Sequence, residues 1–169
     1  MTDAPAPLSD EVFESLRALQ NFCYQNARSK GFHEAADNLN DALVEASHND
    51  LTLEKVLLDA KADRAGNRLM LIVGEANEAH EEIRNGNEPD FEWVSYPKSL
   101  VDEVGEERAA EIFAERGLLP KPEGVPSEIA DIVIRCFDFA GEHRIDLADV
   151  IRRKMAYNAS RERLHGKKF

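Results

Sequence analysis

A chain of 169 residues fits one domain and can bury roughly 68–70% of the surface it would expose unfolded, so neither disulfides nor a metal are needed simply to hold it together. Its 43% hydrophobic and 32% charged residues are ordinary for a soluble globular protein. The net charge of −12 argues against binding nucleic-acid polymers, which requires a positive surface; a basic-then-apolar leader and a run of about 18 apolar residues are both missing, so no membrane partner and a cytoplasmic location are expected.

Residues 1–8, with Pro5 and Pro7, read as a flexible tail. Ser9 is placed to cap a first helix whose opening turn carries Asp10 and Glu11, favourable at the positive end of the helix dipole. Val12, Leu16, Leu19 and Cys23 then recur at helical spacing with Phe13 beside them, and Lys30-Gly31 ends the run. A weaker pattern over 34–48 passes through Leu39, Leu43 and Ala46. Asn49-Asp50 interrupts it, and Thr52 can cap the next run. From Leu53 to Arg84 the pattern is helical nearly throughout, with a possible break at Ala65-Gly66 and a stop at Asn85-Gly86-Asn87.

The stretch from Glu88 to Pro126 is irregular and rich in proline, with one short helix expected near 101–116. Such a long connection is commonly a functional insert. A strong helix follows from Ser127, as its cap, to about Gly141, and the last runs from about Asp146 to Ser160. No strand alternation stands out. The expectation is an all-α bundle of about four core helices with a long insert. Cys23 and Cys136 fall within apolar helical patterns and read as buried, reduced thiols.

On a helical wheel Leu69, Ile72, Val73, Ala76, Ala79 and Ile83 form one apolar stripe, flanked by Glu75, Glu78 and Glu82. Residues three apart on a helix are roughly 5–6 Å apart at Cβ, so Glu75 and Glu78 can grip one hard cation. The second helix repeats the design: Ile129, Ile132, Val133, Cys136 and Ala140 form its stripe, with Glu128, Asp131 and Arg135 on the flank. Facing helices would bring four carboxylates to a core edge, and a cation would relieve their repulsion. One such pair in a chain with 33 acidic residues is most simply a solvated face; two pairs beside two apolar stripes carry more weight. On the last helix, Leu147, Val150 and Ile151 give way to Lys154, Asn158 and Arg161, donors suited to phosphate oxygens or simply a helix fraying into solvent. The basic tail with Arg163, Lys167 and Lys168 either binds ligand or neutralises a neighbouring acidic surface.

These segments resemble the MazG-like family of the all-α NTP pyrophosphatases, whose hallmark is Glu-x-x-Glu on one helix and Glu-x-x-Asp on the next. The resemblance lies in residues 67–86, containing Glu75-Ala-Asn-Glu78, and in 121–168. The latter contains Ser127-Glu128-Ile-Ala-Asp131, Ile145-Asp-Leu147, Lys154-Met-Ala-Tyr-Asn158 and His165-Gly166-Lys167. Arg28-Ser29-Lys30 before Gly31-Phe32 fits the family's first-helix end.

The resemblance implies a family domain over 9–166, an insert at about 87–126, and a tail at 167–169. It further implies Glu75, Glu78, Glu128 and Asp131 as catalytic Mg²⁺ ligands (Mn²⁺ a possible substitute), and Lys154, Asn158 and Arg161 as substrate-binding residues near a triphosphate. The implied reaction is (d)NTP plus water to (d)NMP plus diphosphate, on deoxynucleotides or non-standard nucleotides, in a homodimer or homotetramer. Where many members carry an extra acid just before the first Glu, this chain has Gly74; Glu82 and Glu81 are the nearest substitutes. Residues 34–62 and 87–120 are longer than the family's usual links, and the second carries Phe91, Trp93 and Tyr96, which either stack on a base or anchor the loop.

Two other readings compete. One is a non-catalytic helical interaction or regulatory module retaining the fold. The other is a di-iron bundle, for which Glu45/His48 and Glu162/His165 have the required spacing but lie at segment ends.

Overall fold

Helix-forming sequence dominates the computed structural model, which describes residues 8–46 and 50–161. Its described residues form seven helices and two three-residue strands: α1 (Asp10–Ser29), α2 (Glu34–Ala46), α3 (Leu51–Arg84), β1 (Trp93–Ser95), α4 (Lys98–Val104), α5 (Glu106–Glu115), β2 (Lys121–Glu123), α6 (Val125–Glu142) and α7 (Leu147–Ala159). The fold is all-α. Among the described residues no helix is long and apolar enough to cross a membrane. Residues 1–7 of the expected tail, His48, and everything from Glu162 on lie outside the described residues. That excludes His165, Gly166, the basic Arg163, Lys167 and Lys168, the tail at 167–169, and both Glu-x-x-His pairs as complete units.

The chain divides into two compact units, one holding residues up to Arg68 and from Ile134 on, the other Leu69–Val133. In the first, Phe13, Cys23, Leu57, Phe137, Ala140 and Ala148 are buried. Gln20 of α1 fixes the turn into α7: its Nε2 donates to the Ile145 carbonyl at 2.8 Å, and its Oε1 accepts from Leu147 N–H at 3.2 Å. Gly141 lies against Tyr24, where an added Cβ would fall 2.5 Å from the tyrosine Cβ. A charged network is sunk into this unit. His33, only 2% exposed, reaches Asp138 at 2.9 Å; Arg68 bridges Asp138 at 2.9 Å and Glu142 at 2.8 Å, and Arg64 meets Glu142 at 2.7 Å.

In the second unit β1 and β2 pair antiparallel, with Trp93 opposite Glu123 and Ser95 opposite Lys121. Tyr96 packs edge-on against Phe113 with ring centres 5.1 Å apart, which anchors the insert. Gly124 follows β2 at φ +99°, and a Cβ there would sit 2.4 Å from the Phe91 carbonyl oxygen. Only glycine fits this close junction.

Several local expectations are corrected. Ser9 stands at the N-cap position but makes no side-chain cap bond. Asp50, not Thr52, caps α3: its Oδ1 accepts from Thr52 N–H at 2.9 Å, because the carboxylate is already placed one residue before the helix. The helix passes through Ala65-Gly66 without a break, since one glycine costs only about 1 kcal/mol in a long helix. The single helix near 101–116 is two, divided at Gly105 (φ +82°), and the insert includes a strand pair. Helix α6 starts at Val125. Pro126 is tolerated in its first turn, where amide hydrogens lack helical partners anyway, and the Ser127 hydroxyl donates to the Pro122 carbonyl at 3.1 Å. That helix ends at Glu142, one residue past the expected end near Gly141, and Arg144, at φ 55°, takes the left-handed position after it. Cys23 is buried as expected, whereas Cys136 is half-buried.

Candidate metal centre

Glu75 and Glu128 are the buried acids of the second unit, at 7% and 8% exposure. Each sits mid-stripe on its helix. On α3 the inward positions run Ile72, Glu75, Ala79 and Glu82; on α6 they run Val125, Glu128 and Ile132. Leu69, Val73, Ile83, Ile129 and Val133, expected in the core, are 44–51% exposed. Both helices are therefore turned so that the acidic flank is enclosed and part of the apolar stripe faces outward.

This rotation brings Glu75, Glu128 and Asp131 together, with one carboxylate oxygen from each lying within 4.8 Å of the others. Glu78, the fourth expected ligand, is exposed and outside that set. Its charge still acts on Glu128. Glu128 is held by burial, by a hydrogen bond with Glu75, and by the charges of Glu78, Glu75 and Asp131, which together push its carboxyl from near 4.5 up to about 7. Two carboxyls can share a hydrogen bond only if one carries a proton. The enclosed pair thus retains a proton at a pH where ordinary carboxylates have lost theirs.

The donor set suits a hard divalent cation. It offers only carboxylate oxygens, from two helices, at a spacing one ion can span, and an ion would replace the shared proton and quench the repulsion. Mg²⁺ needs no more protein ligands than these, because it keeps several water or substrate oxygens.

The two acids nearest to replacing one at position 74 are committed elsewhere. Glu82 accepts from the Asn87 side chain at 2.7 Å, within the α3 C-terminal turn, and Glu81 pairs with Arg84 at 2.7 Å. Gly74 itself has open space where a Cβ would stand. Lys154, Asn158 and Arg161 are exposed on the last turns of α7 and beyond, in the first unit; the Lys154 ammonium and Arg161 guanidinium lie 5.5 and 5.6 Å from the Tyr157 ring centre. In the insert, Phe91 is 50% and Trp93 41% exposed, while Tyr96 is the loop anchor.

Sequence reasoning included Lys121 and Glu123 in the resemblance over 121–168 but gave them no role, and it passed over Ser95. Glu123 accepts from Lys121 Nζ at 2.8 Å and from Ser95 Oγ at 2.7 Å, which together hold its carboxyl below the usual range against the opposing effect of burial. The available signal was Gly124: a glycine between a short charged segment and a Pro-Ser-Glu helix start marks a tight junction next to Glu128.

Comparison with protein-family models, with curated proteins and with solved structures finds no match to this chain.

Proposed function

We propose that the protein is a Mg²⁺-dependent nucleoside triphosphate pyrophosphohydrolase, converting a (d)NTP and water into (d)NMP and diphosphate. One observation carries the reading: the convergence of Glu75, Glu128 and Asp131 from two helices, with Glu75 and Glu128 buried. A solvated acidic face has no reason to bury its carboxylates or to tolerate one held to about pH 7. Glu75, Glu128 and Asp131, with Glu78 beside them, would hold the ion. A Mg²⁺ ion held by these carboxylates would supply charge neutralisation for the phosphates and Lewis acidity toward the attacking water. The carboxylates themselves fix where that charge would sit, and Glu128 would have to give up its proton to ligate the ion. Lys154, Asn158 and Arg161 are assigned to the triphosphate on the strength of the family resemblance.

The outward-turned apolar residues support self-association as a homodimer or homotetramer. Leu69, Met70, Leu71, Val73 and Ile83 on α3, with Ile129 and Val133 on α6, are all more than 40% exposed. Exposed apolar side chains in this number along two helices would be covered by a second copy.

The test is turnover across the eight common NTPs and dNTPs with Mg²⁺, scored for both nucleotide and diphosphate products. Asp131→Asn and Glu75→Gln should abolish release. A wild-type protein that yields no diphosphate from any of them is a binding or regulatory module instead.

A further inference from the structure

A triphosphate approaching four carboxylates meets repulsion that one divalent cation only partly removes, so the centre needs a further positive charge. Within Leu69–Val133, Arg84, Lys98 and Arg108 are engaged by acids on their own helices (Glu81, Asp102, and Glu111 with Glu115), and Arg116 stands exposed at the C-cap of α5. Lys121 is placed differently. It lies on β2, which is joined to α6 by Gly124 alone, and the junction is fixed by Ser127 Oγ donating to the Pro122 carbonyl at 3.1 Å and Glu128 N–H to the Gly124 carbonyl at 3.2 Å. The strand is held from the other side by pairing with β1. The Lys121 ammonium is kept charged chiefly by its hydrogen bond with Glu123, and the charges of Glu128 and Glu78, one from each acid-bearing helix, add to that effect.

We infer that Lys121 is a phosphate-binding residue of this centre, presented from β2 beside the first turn of α6 to take an oxygen of a metal-bound polyphosphate. The inference rests on the metal centre proposed above. The Lys121 side chain is 69% exposed, so its ammonium is accessible and can exchange its contact with the more enclosed Glu123, 16% exposed, for a phosphate oxygen. Glu123 is not stranded by that exchange, because the Ser95 hydroxyl continues to donate to it at 2.7 Å. Glu123 and Ser95 thus act as a rest for the ammonium when no phosphate is present.

The probe is inorganic pyrophosphate titrated into Mn²⁺-loaded full-length protein, followed by the fluorescence of Trp93, the single tryptophan, which lies opposite Glu123 in the strand pair. Lys121→Met should weaken pyrophosphate binding about 10-fold or more and raise KM for the nucleotide similarly, with kcat changed less. Lys121→Arg should recover part of both, and Mn²⁺ affinity should be equal or tighter in Lys121→Met, since a competing cation is gone. The inference is overturned if the Mn²⁺-loaded wild type does not bind pyrophosphate, if Lys121→Met binds it as the wild type does, or if that variant loses Mn²⁺ as well. A wild type that binds pyrophosphate through Lys121 but turns over no nucleotide would instead sink the hydrolase proposal and leave the Lys121 assignment standing.

Discussion

Glu75 on α3 and Glu128 on α6 share a hydrogen bond inside the protein, and burial, together with that contact and the neighbouring acidic charges, carries the Glu128 carboxyl up to about 7. Such a pair is costly as two anions and comfortable as one anion and one acid. A divalent cation is the other way to make it comfortable.

Cation binding should therefore be linked to proton release. Below about pH 7 the ion must displace the shared proton; above it the ligand set is already ionised. Mn²⁺ affinity is expected to rise with pH up to about 8 and then level off. Calorimetry in two buffers of different ionisation enthalpy should count close to one proton released at pH 6 and few at pH 8.5. A pH-independent affinity would contradict the shared proton.

The same pair sets the pH dependence of stability without metal. Glu128 has a higher pKa folded than unfolded, so its proton stabilises the fold fully below about 4.5, and that contribution is lost as pH rises to about 7. The loss amounts to about 3 kcal/mol. Glu128→Gln keeps a hydrogen bond without the charge. Urea melts in chelator should show it more stable than the wild type at pH 8 and near-equal at pH 4, while it binds Mn²⁺ far more weakly.

Four glycines separate into two classes. Gly66 and Gly74 lie inside α3 with nothing within 4 Å of an added Cβ, so alanine at either should stabilise by about 0.5–1 kcal/mol. Gly124 and Gly141 have no such room: the Phe91 carbonyl oxygen lies 2.4 Å and the Tyr24 Cβ 2.5 Å from the added atom. Alanine there should destabilise, by roughly 1–3 kcal/mol, as overpacking does. Thermal melts of the four variants give the ordering directly.

Arg68 joins Asp138 and Glu142 at 2.9 and 2.8 Å, with all three side chains 15–16% exposed. Arg68→Met leaves two enclosed carboxylates short of a cation and should cost roughly 3–5 kcal/mol in a denaturant melt. A loss below about 1 kcal/mol would mean that Arg64 and His33 suffice to hold them.

Helix ends were readable where glycine chemistry is local. Lys30-Gly31 and Asn85-Gly86 both close helices with Gly31 at φ +80° and Gly86 at φ +92°. The acids of the centre were readable from spacing, because residues three apart must share a helix face. Which face turns inward was not. A wheel ranks faces by hydrophobicity and would bury Leu69, Val73 and Ala79; Ala79 is buried, but Leu69 and Val73 are not, and Glu75 is buried in their place. An apolar stripe wider than the protein's own core needs cannot say which of its edges meets another helix. Gly141 marked the end of α6 to within one residue, but its close approach to Tyr24 was not readable from sequence. The strands of the insert were hidden by their three-residue length and by Pro122.

The most direct test of the proposed reaction is hydrolysis of a turned-over NTP in H₂¹⁸O with Mg²⁺, read by mass spectrometry of the products. Attack at the α-phosphorus predicts one ¹⁸O in the monophosphate, none in diphosphate, and loss of both products in Asp131→Asn. That loss should exceed the roughly 10–100-fold typical of removing a residue that only supports a metal ligand. Label in diphosphate or in free phosphate, or no turnover by the wild type, would contradict it.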